Sequence, residues 1–381
     1  MMLKQLFWFM NYFRRDFKKL ILGGLVMKKY YHYLIFLFVI IAVLQIMLKN
    51  FDILALDSNL LEEAQIYMDK KEYAKAISIL ENLLDDYPNN IKVISLLGKA
   101  YYYSGEYLKA LPILEQAIHI ETTYESEKVD IYLTLSSIYH KKKNYDRAIK
   151  VLLNGIKEFP NQADLYSDLA TEYFAINNEE LALKQLEKAL TLDPENYSAN
   201  LNMLDYYLDT NLDKAWQYLM FFYNSGKVTF AVKYREGLFW YKKGQKDKAR
   251  YIFEEILEKK PNYSRALYSL GHIYFKAEDY DKARMYFENA IKYQTDLVEA
   301  YIMLGLTYKR MSDFKKAEKA YLKGLEISPD HPLILYNLGI LYYTFDYRNK
   351  AIEVLEKYLS ISPEDQKAQE IFEKLKNLIK D

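Results

Sequence analysis

The stretch that decides the fold runs from Ser264 to Leu297 and reads SRALYSLGHIYFKAEDYDKARMYFENAIKYQTDL. Leu267, Leu270, Gly271 and Tyr274 recur at helical spacing. After a short polar turn, Ala277 to Asp279, so do Tyr280, Ala283, Phe287 and Ala290. This spacing predicts two amphipathic helices of roughly 12 to 14 residues, each with one apolar stripe. Neither can bury its stripe alone, so the pair requires neighbours of its own kind, and the chain supplies them. An aromatic recurs at Tyr67, Tyr101, Tyr139, Tyr173, Tyr207, Trp240, Tyr274, Tyr308 and Tyr342. An alanine recurs at Ala76, Ala110, Ala148, Ala182, Ala215, Ala249, Ala283, Ala317 and Ala351, in steps of 34, 38, 34, 33, 34, 34, 34 and 34 residues.

A 34-residue period of helix–turn–helix repeats resembles the tetratricopeptide repeat, over roughly Asp57 to Asp365. The resemblance implies an all-α, right-handed superhelical solenoid of about nine repeats. Small residues at Ala64, Gly98, Ser136, Ala170, Gly237, Gly271, Gly305 and Gly339 are expected to let the two helices of a repeat approach. The recurrent alanine is the expected facing partner, with the aromatic three residues after the small site filling the wider space beyond it. Pro88, Pro160, Pro194, Pro261, Pro329 and Pro363 stand where second helices must stop, because proline lacks the N–H and disfavours a helical residue before it.

The repeats are expected at 57–90, 91–124, 129–162, 163–196, 197–229, 230–263, 264–297, 298–331 and 332–365, after a linker at 50–56. Pro112 should bend the second helix of its repeat, and Glu125 to Lys128 lengthen the junction that follows. The repeat at 197–229 is irregular. Leu204 takes the small site, the turn is one residue short, and Asn224-Ser225-Gly226 replaces the proline, so a break between 57–196 and 230–365 is one reading and tolerated drift the other. Residues 366–381 read as a capping helix with Ile371, Phe372, Leu375 and Leu378 inward.

Of the 381 residues, 27% are charged, and none is cysteine, which excludes disulfides and thiolate chemistry. The formal net charge of zero divides unevenly. Residues 1–49 carry eight Lys and Arg against Asp16, a charge of +7, leaving −7 for the remainder. A mildly acidic array argues against nucleic acid, which requires a basic footprint. Residues 30–49 are expected to form a membrane helix. Its apolar run from Tyr33 to Leu48 contains one polar residue, Gln45, and Lys28, Lys29 and Lys49 flank it. The basic side places the N-terminus in the cytoplasm and the repeats on the extracytoplasmic side, as in a bacterial inner membrane. A cleaved signal peptide, leaving an exported periplasmic protein, is the alternative. Residues 1–29 form a basic segment. Met27-Lys28-Lys29 before the apolar run, and Gly23-Gly24, which a ribosome-binding sequence can encode, also allow Met27 as the start in place of Met1.

No catalytic constellation emerges. His32, His119, His140, His272 and His331 are scattered, with no two at metal-ligand spacing. No cofactor, metal or enzymatic activity is expected, and the 39 tyrosines are read as packing residues. What remains is a surface. The resemblance implies that first helices line a concave groove for a peptide or protein partner. In the C-terminal four repeats it is lined by Tyr234, Leu238, Tyr241, Tyr268, His272, Phe275, Ile302, Leu306, Lys309, Tyr336, Ile340 and Tyr343. The N-terminal counterpart, with Lys92, Ser95, Lys99, Tyr102, Tyr103, Leu133, Ser137, His140, Ser167 and Thr171, is more polar. Of the residues with which relatives clamp a chaperone tail, Asn202 and Arg235 match, whereas Ser167 and Thr171 depart, so that ligand is not expected. Two roles follow: a membrane-anchored scaffold at a bacterial cell envelope, or a regulatory or adaptor subunit of a membrane enzyme complex, for instance in lipopolysaccharide or other envelope-polymer biogenesis. Homo-oligomerisation is left open.

Overall fold

A computed structural model describes residues 59–380. The expected membrane helix and linker lie outside the described residues. No helix among those described is long and apolar enough to cross a membrane.

Among the described residues, nineteen α-helices pair into hairpins and leave one helix over. The hairpins are α1 (59–69) with α2 (Tyr73–Asp86), α3 (Ile91–Ser104) with α4 (Tyr107–Ala117), α5 (Glu125–Lys141) with α6 (Tyr145–Glu158), and α7 (Ala163–Ala175) with α8 (Glu179–Leu192). They continue as α9 (Tyr197–Thr210) with α10 (Leu212–Asn224), α11 (Phe230–Lys242) with α12 (Lys246–Lys259), and α13 (Ser264–Lys276) with α14 (Tyr280–Tyr293). The last two are α15 (Val298–Arg310) with α16 (Phe314–Ile327) and α17 (Pro332–Thr344) with α18 (Arg348–Ile361), followed by α19 (Gln366–Lys380).

All nine recurrent alanines are fully buried. They are not, however, what the small residues face. A Cβ added at Gly271 would lie 2.6 Å from Phe287 Cε1, and one at Gly305 would lie 2.4 Å from Tyr321 Cε1. Gly98, Gly237 and Gly339 meet Leu114, Phe253 and Leu355 in the same way. The facing side chain is thus the large one a turn beyond the alanine, because residues four apart share a helix face. The alanine lies beside this contact and keeps the backbones close.

Eight of the nine hairpin turns among the described residues contain one residue in the left-handed region: Lys71, Gly105, Lys143, Asn177, Gly244, Glu278, Ser312 and Asp346, with φ between +56° and +83°. The α9–α10 hairpin alone lacks it. Asn211, at φ −156°, both ends α9 and caps α10, its side chain accepting from the Lys214 N–H, which accounts for the one-residue deficit.

Two further expectations require correction. Residues 125–128 do not lengthen a loop; they add a turn to the start of α5, where Glu125 and Glu127 complement the helix dipole. Lys128 is buried there, its Nζ donating to the Ile120 carbonyl oxygen at 2.5 Å. In α19 Ala368, Phe372 and Leu375 face inward, but Leu378 is exposed. The second helix carrying Pro112 is the shortest of its kind, ending at Ala117.

A repeated ring–cation contact was not anticipated. The basic residue one position before the alanine lies over the recurrent aromatic of its own hairpin, at 4.2–5.6 Å from the ring centroid. The pairs are Lys75 on Tyr67, Lys109 on Tyr101, Arg147 on Tyr139, Lys214 on Tyr207, Lys248 on Trp240, Lys282 on Tyr274, Lys316 on Tyr308 and Lys350 on Tyr342. Four of these phenols donate to a glutamate of the preceding hairpin's second helix: Tyr101 to Glu81, Tyr139 to Glu115, Tyr308 to Glu288, and Tyr342 to Glu318 at 2.7 Å. Burial, then the Glu288 hydrogen bond, push the Tyr308 phenol up to about 12.

The chain divides into two compact units, Met1–Gln185 and Leu186–Asp381. The boundary falls within α8, upstream of the irregular repeat at which a break was one of the two readings. In the described part of the first unit, one core extends from Ala64 to Leu169, and α3, α5 and α7 lie side by side. In the second, α9 lies beside α11, and α13, α15 and α17 form a consecutive row.

Substitution of Gly271 by Ala should cost about 1–3 kcal/mol, because the Phe287 ring cannot yield without disturbing the core. Gly98→Ala, which meets a Leu114 side chain able to change rotamer, should cost less. Glu278→Gly should gain about 0.5–1 kcal/mol by relieving a left-handed residue. Urea melts check all three, and equal losses at Gly271 and Gly98 would contradict the packing described.

Candidate functional site

The first helices of the second unit carry the expected binding residues on α11, α13, α15 and α17, and eleven of the twelve are half-buried. Ile302 is the correction. At 5% exposure it belongs to the core with Leu304 and Leu338, since helix rotation turns it towards α17.

The remaining side chains do not stand free. Most lean on the apolar core below them or on a second helix, and two, Tyr234 and Tyr241, are tied to the next first helix. The Tyr234 hydroxyl lies 3.3 Å from Ser269 Oγ, and its ring is 5.6 Å from that of Phe253. The Tyr241 hydroxyl lies 3.1 Å from His272 Nδ1, the rings meeting edge to face at 5.7 Å. Tyr268 packs against Phe287, Phe275 against Tyr280, and Tyr336 against Tyr358, with centroids 5.4–5.8 Å apart. Tyr343 accepts a hydrogen bond from Lys374 of α19 at 3.3 Å. Leu238 packs on the core below α11 and α13, and Leu306 on that below α15 and α17. Ile340 lies half-buried on α17.

Burial sets the protonation states. It pushes the Tyr241 phenol up and, with Lys276 and Lys246 adding repulsion, pulls the His272 imidazole down. A protonated phenol and a neutral imidazole thus share one hydrogen bond, whose direction is set by the imidazole tautomer. Lys309 is lowered by burial first, then by Arg310 and Lys367, which identifies a cationic end to this face. At its start, Arg235 donates through Nε to Asp205 at 2.6 Å. That guanidinium is already committed within the protein, which further separates the face from a chaperone-tail clamp.

Among the described residues, no group of His, Asp and Glu is arranged to hold a metal. A surface recess of about 900 Å³ lies on the loops at 86–92 and 120–124 in the first unit.

These paired helices and this face define a class. Family models described as "Tetratricopeptide repeat" match residues 163–196, 298–331 and 333–365, and a second such model matches 67–121, 101–173 and 241–304. The matches span more than half of the chain, which belongs to the tetratricopeptide-repeat family. It is similar over 140 residues, at 28% identity, to the BBSome complex member BBS4 homolog of Drosophila melanogaster, covering 37% of this chain and 28% of that protein. Over 121 residues it is 29% identical to the cell division cycle protein 27 homolog of Homo sapiens, covering 32% and 14%. The chain thus spans less than a third of either relative. Among solved structures, the crystal structure of the APC/C hetero-tetramer Cut9–Hcn1 aligns with a TM-score of 0.59 at 16% identity, covering 79% of this chain and 59% of that one. Yeast Tom70 aligns at 0.52 and 14%, covering 83% and 88%. Both relatives are eukaryotic, so the bacterial setting expected above rests on residues 1–49 alone.

The depressed imidazole carries a sign. The unfolded chain takes up its proton on His272 before the folded chain does, so His272 costs stability as pH falls below about 6.5 towards its lower folded value. Urea midpoints measured from pH 7.5 down to 5 should therefore fall more steeply for the natural chain than for His272→Gln. Parallel profiles would contradict the burial described.

Proposed function

We propose that this chain is a non-enzymatic scaffold that captures an extended or helical protein segment on the first-helix face of its second compact unit. The observation that carries the reading is the unbroken row Tyr241, Tyr268, Phe275, Leu306, Tyr336 and Tyr343, half-buried side chains contributed by four successive first helices. Half-buried aromatics on a rigid support lose little entropy on binding and supply most of the apolar area of an anchor. The repeats are further proposed to be tethered by residues 30–49 to a membrane of a bacterial envelope, on its extracytoplasmic side. The apolar run and its flanking lysines support that placement.

The contacts of Tyr241 and Phe275 determine how the face can be tested. Both rings rest on core clusters, so truncation to alanine would disturb folding as well as binding. A double Tyr241→Leu, Phe275→Leu variant retains apolar volume and removes the aromatic anchors. Pull-down from membranes with tagged full-length chain should lose its partners at least tenfold, the loss expected for two anchors of about 1 kcal/mol or more each. Lys92→Ala with Lys99→Ala should capture normally. Unchanged capture by the leucine variant would refute the face.

Topology is read separately. Protease added to cells with the outer face of the membrane exposed should digest the repeats. Full protection would favour the regulatory subunit on the cytoplasmic side.

A further inference from the structure

We propose that the recess beside the irregular loop of the second unit docks an acidic polypeptide segment, which inserts one apolar side chain while lysines at the rim pair with carboxylates on either side of it. The regular loops between hairpins, such as 260–263 and 328–331, have four residues with proline second. The loop 225–229 has five, and Gly226, at φ +68°, stands in place of the proline. Val228 and Phe230, which follow it, stay 36% and 39% exposed. With Ile256 of α12 they form the apolar floor of a recess of about 460 Å³.

The walls of this recess are cationic. Lys233 and Lys259 line it, and both pair with Glu255, at 2.9 and 3.5 Å. Lys260 lies beside them, 5.8 Å from the centroid of the Phe230 ring and 5.2 Å from that of Tyr263. No carboxylate among the described residues stands within ion-pair distance of Lys260. Three ammonium groups thus meet one carboxylate, in a chain whose residues beyond 49 carry a net charge of −7.

A local surplus of positive charge around exposed apolar surface fits a ligand that is both anionic and apolar. Burial of one aliphatic or aromatic side chain on the floor supplies affinity. An ammonium has three donors, so Lys259 can hold a second carboxylate while retaining Glu255, and Lys260 takes another. The lysines come from α11 and from the end of α12, so the ligand needs carboxylates at more than one point, which a polypeptide segment supplies. A basic segment is repelled, and an acidic one without an apolar side chain leaves the floor wet.

An array of random ten-residue peptides with Glu-Leu-Glu fixed at the fourth to sixth positions tests this, beside matching arrays with Gln-Leu-Gln or Glu-Ala-Glu there. The probe is labelled full-length chain in detergent micelles. Capture on Glu-Leu-Glu should exceed that on Gln-Leu-Gln by about fivefold and that on Glu-Ala-Glu by about tenfold. Equal capture in either comparison overturns the proposal. Lys259→Gln with Lys260→Gln, both exposed, should abolish the glutamate preference and keep the leucine preference; any other pattern in that variant overturns the proposal. Val228→Asp, on the exposed loop, should abolish both preferences, and a leucine preference that survives it also overturns the proposal. Lys141→Gln with Lys142→Gln removes the same charge from exposed positions of the first unit and should change neither. An equal loss there would mean that the attraction is only diffuse positive charge, and overturns the proposal too. The Tyr241→Leu, Phe275→Leu variant should keep both preferences, because neither residue lines the recess, so failure of this site and failure of the first-helix face are read independently.

Discussion

The contact on which the rest of the molecule depends is the seating of a large second-helix side chain against the bare backbone of a first helix. Phe287 over Gly271, Tyr321 over Gly305 and Phe253 over Gly237 leave no room for a single added methyl group. Close packing of this kind yields dispersion energy only at fitted distances, so it sets the spacing and rotation of the two helices together. Once that rotation is set, the outer sides of the first helices point away from the hairpin core, and a row of adjacent hairpins becomes a continuous face. At Leu204 the small residue is missing, yet Leu204 and Leu219 are both fully buried. The hairpin remains closed there by another fit.

The edges of the hairpins are governed by charge. A chain with equal numbers of basic and acidic residues and 39 tyrosines places many of them in one repeated arrangement. A lysine or arginine covers the ring, and in four cases a glutamate of the preceding hairpin accepts from the phenol. Each element is weak, on the order of 0.5–1 kcal/mol for an exposed cation–π contact. Repetition makes their sum matter. It also means that Lys282, outwardly a surface residue, has a structural task on Tyr274.

The two compact units present first-helix faces of different chemistry. In the second, burial keeps Tyr241 protonated and His272 neutral and leaves Lys309 without a carboxylate among its named charged neighbours, so the face is aromatic with a cationic end. In the first, Lys99 is neutralised by Asp130 while Asp168 stands among acidic groups. A partner suited to one face is poorly suited to the other, because desolvating a like charge is penalised more than an apolar mismatch.

The amino-acid sequence by itself determined the hairpins: the 34-residue step of alanine and aromatic, the proline stops and the polar turns suffice, since helical periodicity and helix termination are local properties. It also assigned the row proposed for binding to first helices. The ring–cation pairs were legible too, as a basic residue before nearly every recurrent alanine, a signal passed over because surface lysines are common. Tertiary structure decided the remainder. Which residue faces Gly271, whether Ile302 is buried or presented, and whether residues 125–128 extend a loop or a helix all depend on helix rotation, to which spacing along one chain is blind.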